Sequence, residues 1–218
     1  TNCITYGDDR MGIYFYENGN SLRAPKVIYD RTASAFSHIQ PNTIDWDKIM
    51  STAGWFHWTG ITPAISHNAY LVCKEALVSA NKHGVVVSGD INYRRNLWQY
   101  GKHPQNVMPE LISQTHYIIG GKNDFENCMG ISETDDARTH ARVMREFKNV
   151  QKIISVFRST INASHQSLYS TLFDGTDYLQ SKKYDIYPVT DRVGAGDAFM
   201  AGLIYGALSG ADDQQALD

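Results

Sequence analysis

Cysteine is scarce in this chain, with three residues among 218, namely Cys3, Cys73 and Cys128. No Cys-x-x-Cys and no His-Glu-x-x-His spacing occurs, and this argues against a structural zinc site. A sparse, odd number of cysteines is typical of a reducing compartment, and no signal-peptide pattern opens the sequence. We therefore expect a cytoplasmic protein.

Long apolar runs and an excess of basic charge are also missing. No segment approaches the ~20 consecutive apolar residues that a membrane-spanning helix needs. The formal net charge is −3 and the basic residues are scattered, so no general attraction to nucleic acid or to an anionic membrane is expected. The length of 218 residues and the hydrophobic content of 42% predict one large globular domain, or one domain with a small appendage.

The common phosphate-binding loops are absent, but a glycine turn lies in the stretch 189–199. No Gly-x-x-x-x-Gly-Lys-Ser/Thr occurs, and Gly-x-Gly-x-x-Gly fails at Phe199. Gly194 and Gly196 allow positive φ and a close approach of a ligand to the backbone. The helix that follows would offer its first, unpaired N–H groups to an anion, and Asp197 would act there as a base. The alternative is an ordinary strand–turn–helix connection that Asp197 caps.

Strands and helices alternate from about residue 55 onward, which indicates an α/β core with a largely parallel sheet. The patterns predict strands at 13–16, 26–31, 55–59, 84–88, 115–119, 153–157, 169–173 and 183–188, and helices at 44–50, 67–82, 134–148 and 197–209. Strand 55–59 would be buried, residues 60–63 would form a loop, and Ser66 would cap the next helix. Small residues at every fourth position from 198 to 210 predict close packing of the last helix.

The turn Asp191-Arg192-Val193-Gly194-Ala195-Gly196-Asp197 resembles the signature Asp-Thr-x-Gly-Ala-Gly-Asp of the ribokinase-like PfkB carbohydrate kinases. Arg192 replaces the usual Thr, which is similar to the branch that phosphorylates 2-dehydro-3-deoxygluconate. The resemblance implies that Asp197 is the catalytic base. It also implies that the amides of residues 194–197 stabilise the transferring phosphoryl group, with Gly194 and Gly196 contacting ATP.

The segments Tyr6–Tyr14 and Val27–Arg31 resemble the β lid of the same branch. By this resemblance Tyr14, Tyr29 and Arg31 contact the sugar acid, and Arg31 binds part of its carboxylate. From composition alone, simple packing of a sheet is the other explanation for these tyrosines. The segment Trp58–Ala64 is also similar to these kinases, which commonly carry Gly-Ile-Thr-Pro-Ala.

A polar cluster, Gly89-Asp90-Ile91-Asn92-Tyr93-Arg94, follows the predicted strand 84–88. Open α/β sheets bind ligands past the carboxyl ends of their strands, and the arginine fork can bind a carboxylate through two donors. The spacing Asp-x-Asn-x-Arg-x-x-Leu-Trp resembles the family's pattern, so Asp90, Asn92 and Arg94 are candidate substrate residues. The alternative for Arg94 is an exposed loop arginine.

A further predicted helix opens at Gly120–Glu126, where ribokinase-like enzymes carry an Asn-x-x-Glu that organises magnesium and phosphates. Read without a gap, the family's Asn falls on Gly121 and its acid on Asp124; shifted by two, Asn123 and Glu126 match. These three, Asp124, Asn123 and Glu126, are weak candidates, and the metal ligands stay open. The alternative is that Asn123 only caps the helix.

The resemblance implies a ribokinase-like three-layer α/β/α core at 35–218 and a small β lid at 1–34, with N- and C-terminal parts of the family's fold expected to be absent. Arg158 and Ser159 would lie past a strand end, beside the nucleotide phosphates. The implied reaction uses ATP and Mg²⁺ to convert 2-dehydro-3-deoxygluconate to its 6-phosphate. Alternatives are a related kinase for fructose, ribose or a nucleoside, and a non-catalytic sugar- or nucleotide-binding protein. A homo-oligomer is expected, because lid strands pair between subunits in relatives.

Overall fold

A computed structural model describes residues 4–17, 19, 22–191 and 193–218 of the chain. The chain forms two compact units, Thr1–Tyr14 with Tyr29–Ile153, and Phe15–Ile28 with Ile154–Asp218. The predictions that concern Cys3 and Arg192 lie outside the described residues. The boundary at residue 34 between a lid and a core stays a prediction.

The described residues form strands and helices in the following bounds. The strands are β1 (Ile13–Glu17), β2 (Lys26–Asp30), β3 (Trp55–Thr59), β4 (Val86–Asp90), β5 (Tyr117–Ile119), β6 (Lys152–Asn162), β7 (His165–Phe173), β8 (Tyr178–Gln180) and β9 (Tyr184–Ile186). The helices are α1 (Trp46–Met50), α2 (Ile61–Ile65), α3 (His67–Lys82), α4 (Met108–Ile112), α5 (Lys122–Met129), α6 (Asp136–Glu146), α7 (Ala195–Leu208) and α8 (Asp213–Leu217).

The sheet of the first unit is parallel, as predicted. β4 lies between β3 and β5 and runs parallel to both, with Trp58 opposite Gly89. A Cβ at position 89 would come within 2.4 Å of the Trp58 indole, so Gly89 makes room for this ring. The indole N–H in turn donates to Thr115 Oγ1 at 3.0 Å. The sheet continues with the first residues of β6, because the N–H of Lys152 donates to His116 O at 3.1 Å.

Helix α3 has the predicted bounds, and its start follows from Ser66. The Ser66 hydroxyl accepts a hydrogen bond from the Ala69 N–H at 3.1 Å, which satisfies one of the donors that a helix leaves unpaired at its start. The buried positions recur at helical spacing and comprise Ala69, Val72, Cys73, Ala76, Leu77, Ser79 and Ala80. This face packs into the hydrophobic core of the unit.

None of the helices in the described part of the chain has the length and apolar character of a membrane span.

Strand β4 begins two residues later than the predicted strand 84–88. Gly84 has a φ of +69°, and the N–H of Val85 donates to Ala80 O at 2.9 Å. Both residues therefore close the C-terminal end of α3, where a glycine with positive φ is typical. Apolar character alone could not separate this cap from the strand.

Two predictions around β3 are wrong. Residues 60–63 are not a loop, since Ile61–Ile65 form helix α2, with Pro63 in its first turn, where a residue needs no N–H donor. β3 is also not buried throughout: Trp58 is buried but His57 is exposed, and among the described residues β4 is the one strand beside it. His57 Nδ1 lies 2.8 Å from Ser88 Oγ of β4, within hydrogen-bonding distance.

The strands of the second unit pair around β7. β8, which the sequence did not predict, and β9 both pair antiparallel with β7, and β7 also neighbours β6. The prediction that residues 158–160 follow a strand end is wrong, because β6 extends to Asn162. Phe157 of β6 stacks on Tyr169 of β7 with ring centroids 4.8 Å apart, a cross-strand contact between the two strands.

Close packing of α7 occurs at one of the predicted small positions. A Cβ at Gly206 would lie 2.9 Å from Cα and Cβ of Ala216, so glycine lets α8 approach the helix backbone. At Gly202 the same construction meets no atom within 4 Å, and Gly210 lies beyond the helix with φ +78°. The predicted face is therefore used near its C-terminal end, against the unpredicted helix α8.

His140 is a buried titratable group of the first unit. Its side chain is 1% exposed and meets the Phe125 ring edge-on, with centroids 5.5 Å apart. Burial lowers the pKa of His140 from 6.5 to about 4, and the charge of Asp136 opposes this effect. The folded protein therefore holds this imidazole neutral at a pH where the unfolded chain binds a proton.

We predict that His140 makes the free energy of unfolding fall as the pH drops from about 6.5 towards about 4. The depressed pKa corresponds to a loss on the order of 3 kcal/mol over this window. Urea unfolding at several pH values should show that the free energy of unfolding falls less steeply towards acid pH in His140→Gln than in wild type. The exposed His103→Gln variant is the control. An equal fall of the free energy of unfolding towards acid pH in wild type and His140→Gln would contradict the proposed contribution of His140.

Candidate active site

The carboxyl ends of the parallel strands in the first unit are joined through their backbones. The Gly60 N–H, just past β3, donates to Asp90 O at 2.8 Å, and the Ile91 N–H donates to Ile119 O at 2.9 Å. A Cβ at position 60 would lie 2.0 Å from Ile91 O, so only glycine fits there. The predicted polar residues after β4 therefore follow directly on strand ends that are hydrogen-bonded to each other.

Asn92 is held in the loop that follows this edge. Its φ of +44° is in the left-handed region, which asparagine tolerates better than most residues. Its side-chain Nδ2 donates to Thr59 Oγ1 of β3 at 3.5 Å. The structure therefore brings two polar side chains from neighbouring strand ends together, at the place where the sequence predicts a substrate site.

Arg94 lies on the same loop and is exposed. One guanidinium N–H donates to the carbonyl of Tyr93 at 2.9 Å. Among the described residues Arg94 has no carboxylate partner, so its other donors are available to a ligand. This geometry suits recognition of an anion, since an arginine fork can bind a carboxylate through two donors.

The predicted lid residues are adjacent to one another. The rings of Tyr14 and Tyr29 lie 6.4 Å apart, and the Arg31 guanidinium lies 4.9 Å from the Tyr29 ring centroid. Tyr14 is 43% exposed and Tyr29 is 40% exposed, so packing inside a sheet core does not account for these rings. Their predicted contact with substrate stays a prediction.

Arg10 organises this segment, a role that the sequence analysis missed. Its guanidinium donates to the Asp30 carboxylate and, at 2.7 Å, to the carbonyl of Thr32. The Ala35 N–H donates to Arg10 O at 2.9 Å. The bonds tie the chain before β1 to the chain after β2. Arg10 lies in the resembling segment Tyr6–Tyr14, but nothing in the sequence indicates its partner.

The N-terminal end of α5 differs from the predicted metal motif. The N-cap is Gly121, so the alternative that Asn123 caps the helix is wrong. The Asp124 carboxylate accepts the Gly121 N–H at 2.8 Å and the Tyr93 N–H at 2.9 Å. Glu126 is exposed. Within the described residues, no three His, Cys, Asp or Glu side chains are grouped so that they could hold a metal ion, and the residues that would bind magnesium stay open.

The glycine turn of the second unit forms the predicted array of backbone donors. The Asp191 carboxylate accepts the Val193 N–H at 2.9 Å, and Gly194 is the N-cap of α7 with φ +76°. Helix α7 begins at Ala195, so the N–H groups of residues 195–197 belong to the first turn and have no intrahelical partner. These donors and the helix dipole favour an anion at this position.

Two details of this turn differ from prediction. Gly196 lies inside α7, so only Gly194 of the pair has a positive φ. Asp197 is the third residue of the helix and not its cap, and its exposed carboxylate has no partner among the described residues. Cβ atoms placed at Gly194 and Gly196 meet nothing within 4 Å, so the space beside the turn is open.

Arg158 and Ser159 are not brought into this array by any hydrogen bond. Both are exposed residues within β6, and their side chains form no hydrogen bond with the rest of the described chain. Their predicted contact with ATP stays a prediction. The substrate and phosphate candidates thus lie in separate groups, one in each unit.

Comparison with known proteins identifies the family. Residues 1–218 match the model of the pfkB family carbohydrate kinases over the whole chain. The chain belongs to this family. The resemblance predicted from the glycine turn and the lid is confirmed, and a kinase fold follows from the same match.

Two solved structures of kinases are similar to this chain. The solved structure of 2-dehydro-3-deoxygluconokinase from Thermotoga maritima is 36% identical, with a TM-score of 0.90 over 100% of this chain and 67% of that one. A pfkB family kinase from Listeria grayi is 29% identical, with a TM-score of 0.87 over 96% of this chain and 65% of its own. The mixed α/β fold with a mostly parallel central sheet is confirmed.

A curated relative is also similar over almost the whole chain. The 2-dehydro-3-deoxygalactonokinase of Haloferax volcanii is 28% identical over 217 residues, which is 98% of this chain. The chain spans 64% of the length of that relative.

We predict that Gly60→Ala destabilises the first unit by about 3 kcal/mol or more, because its Cβ would overlap Ile91 O. Gly54→Ala is the matched control, since a Cβ there meets nothing within 4 Å. The control should change the free energy of unfolding by less than about 1 kcal/mol. Urea unfolding of both variants provides the measurement. Equal stabilities for the two variants would show that the strand ends are not as tightly joined as described.

Proposed function

We propose that the protein containing this chain phosphorylates the sugar acid 2-dehydro-3-deoxygluconate with ATP, forming the 6-phosphate. The observation that carries the proposal is Arg94, an exposed guanidinium without a carboxylate partner among the described residues, on a loop fixed at the sheet edge. A neutral sugar has no group that needs this charge. The names of the Thermotoga maritima and Haloferax volcanii relatives, both kinases for dehydro-deoxy sugar acids, support the same substrate class.

The proposed chemistry is a direct phosphoryl transfer. The 6-hydroxyl oxygen of the sugar acid attacks the γ-phosphorus of ATP, the bond to the β–γ bridging oxygen breaks, and ADP leaves. Asp197 accepts the hydroxyl proton. The first-turn N–H groups of α7, from Ala195 to Asp197, hold the charge on the transferring group.

The substrate is proposed to be bound by its carboxylate and by the lid. Arg94 and Arg31 would bind the carboxylate, Asn92 would bind a hydroxyl, and Tyr14 and Tyr29 would cover the sugar. The exposure of both tyrosine rings supports this role, because a covering ring must reach a ligand. Arg158 and Ser159 are proposed to contact the nucleotide. Magnesium is expected to arrive with ATP, and no residue is assigned to it.

A homo-oligomer is proposed from the lid. The two-stranded sheet of β1 and β2 exposes several apolar side chains, among them Phe15 at 60% and Ile28 at 54%. Apolar side chains grouped on a short exposed sheet favour pairing with another surface. A second copy of the chain is the partner that we expect.

The test of the proposed function is ATP consumption with 2-dehydro-3-deoxygluconate, compared with fructose and ribose. We expect turnover with the acid and a loss of about 10²–10⁴-fold in kcat for Asp197→Asn, with ATP binding kept, because a positioned base contributes this factor. Asp177→Asn, an exposed carboxylate of the same unit, is the control and should retain activity. Turnover of neutral sugars would favour a related kinase, and ligand binding without turnover would favour a binding protein.

Arg94→Ala should weaken the apparent affinity for the sugar acid by about 10- to 150-fold, the equivalent of a charge-assisted hydrogen bond. The neighbouring Arg95→Ala variant removes the same charge from the same exposed loop and should bind normally. The measurement is KM for the acid and for fructose in each variant. If Arg94→Ala discriminates acid from neutral sugar as well as wild type does, the carboxylate assignment is wrong.

A further inference from the structure

One carboxylate connects the substrate loop to helix α5. Asp124 Oδ1 accepts the Tyr93 N–H at 2.9 Å, and Asp124 Oδ2 accepts the Gly121 N–H at 2.8 Å. Gly121 is the N-cap of α5, and Asp124 is the third residue of the helix. A single side chain thus fixes a loop that lies 31 residues earlier in the sequence and the start of its own helix.

The loop needs such a connection because its local conformation is not favourable by itself. Tyr93 lies between Asn92, which has φ +44°, and Arg94, the proposed carboxylate ligand. A left-handed φ at a residue other than glycine persists only where the surroundings hold it. Thr59 holds the loop on one side through Asn92, at 3.5 Å, and Asp124 holds it on the other.

Both oxygens of Asp124 already have a structural role. Each of them accepts a backbone N–H. Glu126 is two residues further along the helix, and side chains two apart do not face each other. Among the described residues there is also no group of three or more His, Cys, Asp or Glu side chains that could hold a metal ion. The acid that aligns with the family's magnesium motif therefore holds two backbone segments in place here.

We propose that Asp124 is a positioning residue that acts through the Tyr93 amide to hold Arg94 ready for the substrate carboxylate. Asp124 itself does not touch the substrate. The inference rests on the proposed function for the role of Arg94. The fixed loop spares the substrate the cost of ordering it, so loss of the connection affects binding of the acid more than the chemical step.

The kinetic test is Asp124→Asn, which keeps the shape but replaces one acceptor oxygen with a donor. We expect KM for the sugar acid to rise about tenfold or more, while kcat, KM for ATP and the Mg²⁺ concentration at half-maximal rate stay within about threefold of wild type. Asp124→Glu keeps two acceptors and should recover part of the affinity. Asp136→Asn, a first-turn acid of α6, is the control. A raised Mg²⁺ requirement with unchanged KM for the acid would overturn the proposal.

A double-mutant cycle tests whether Asp124 acts through Arg94. In the Arg94→Ala background, Asp124→Asn should change KM for the acid by less than about twofold, because the side chain that it positions is already gone. A full tenfold effect in that background would mean that Asp124 acts by another route, and the proposed link to Arg94 would be wrong.

Amide hydrogen exchange gives a readout that does not depend on catalysis. In the unliganded chain, Asp124→Asn should speed exchange at the Tyr93 and Gly121 amides about tenfold or more, and Asp136→Asn should not. Unchanged exchange at Tyr93 would overturn the proposed connection. If wild type fails to turn over the sugar acid while exchange behaves as expected, the connection holds and the proposed function fails.

Discussion

The first unit depends on the hydrogen bond from the Gly60 N–H to Asp90 O, 2.8 Å long, at the carboxyl ends of β3 and β4. It requires a residue without a Cβ, because a Cβ at position 60 would lie 2.0 Å from Ile91 O. Parallel strands that end together present backbone groups which need partners. Here they bond to each other, and the next residues, Asn92 to Arg94, begin from a defined position.

Some charged side chains of the first unit hold the backbone in place, and others have donors left for a ligand. The Asp124 carboxylate accepts two backbone N–H groups, and the Arg10 guanidinium donates to the Asp30 carboxylate and to the Thr32 carbonyl. Arg94, by contrast, has no carboxylate partner among the described residues. A site for an acidic substrate needs this division, since a guanidinium already paired with an acid gains little from a second one.

Much of the fold could be predicted because its signals are local. Ser66 and the apolar spacing after it predict helix α3, and Gly194 marks the turn before α7. The wrong predictions concern segments whose conformation depends on residues that are distant in the sequence. β6 extends past residue 157 to Asn162, beside β7 in the same sheet. Helix α2 begins at Ile61, directly after the end of β3. The sequence does not show which strand lies beside β3 at that point.

The candidate site shows the same limit. Sequence patterns predicted that Asn92 and Arg94 follow a strand and that the glycine turn opens a helix, and the structure has them in these positions. They gave Asp124 only as a weak metal-ligand candidate, and they could not indicate its bond to the Tyr93 amide, which lies 31 residues away in the sequence. Arg10 was missed for a similar reason: its partners lie 20 and 22 residues further along the chain.

The most direct test of carboxylate recognition is a calorimetric titration of the protein with 2-dehydro-3-deoxygluconate and with its neutral primary amide. The two compounds differ only in the charge that the arginines are proposed to bind. We predict that the acid binds about tenfold or more tightly than the amide, the factor expected for a charge-assisted contact. Equal affinity for the two compounds would contradict a site built to recognise a sugar acid.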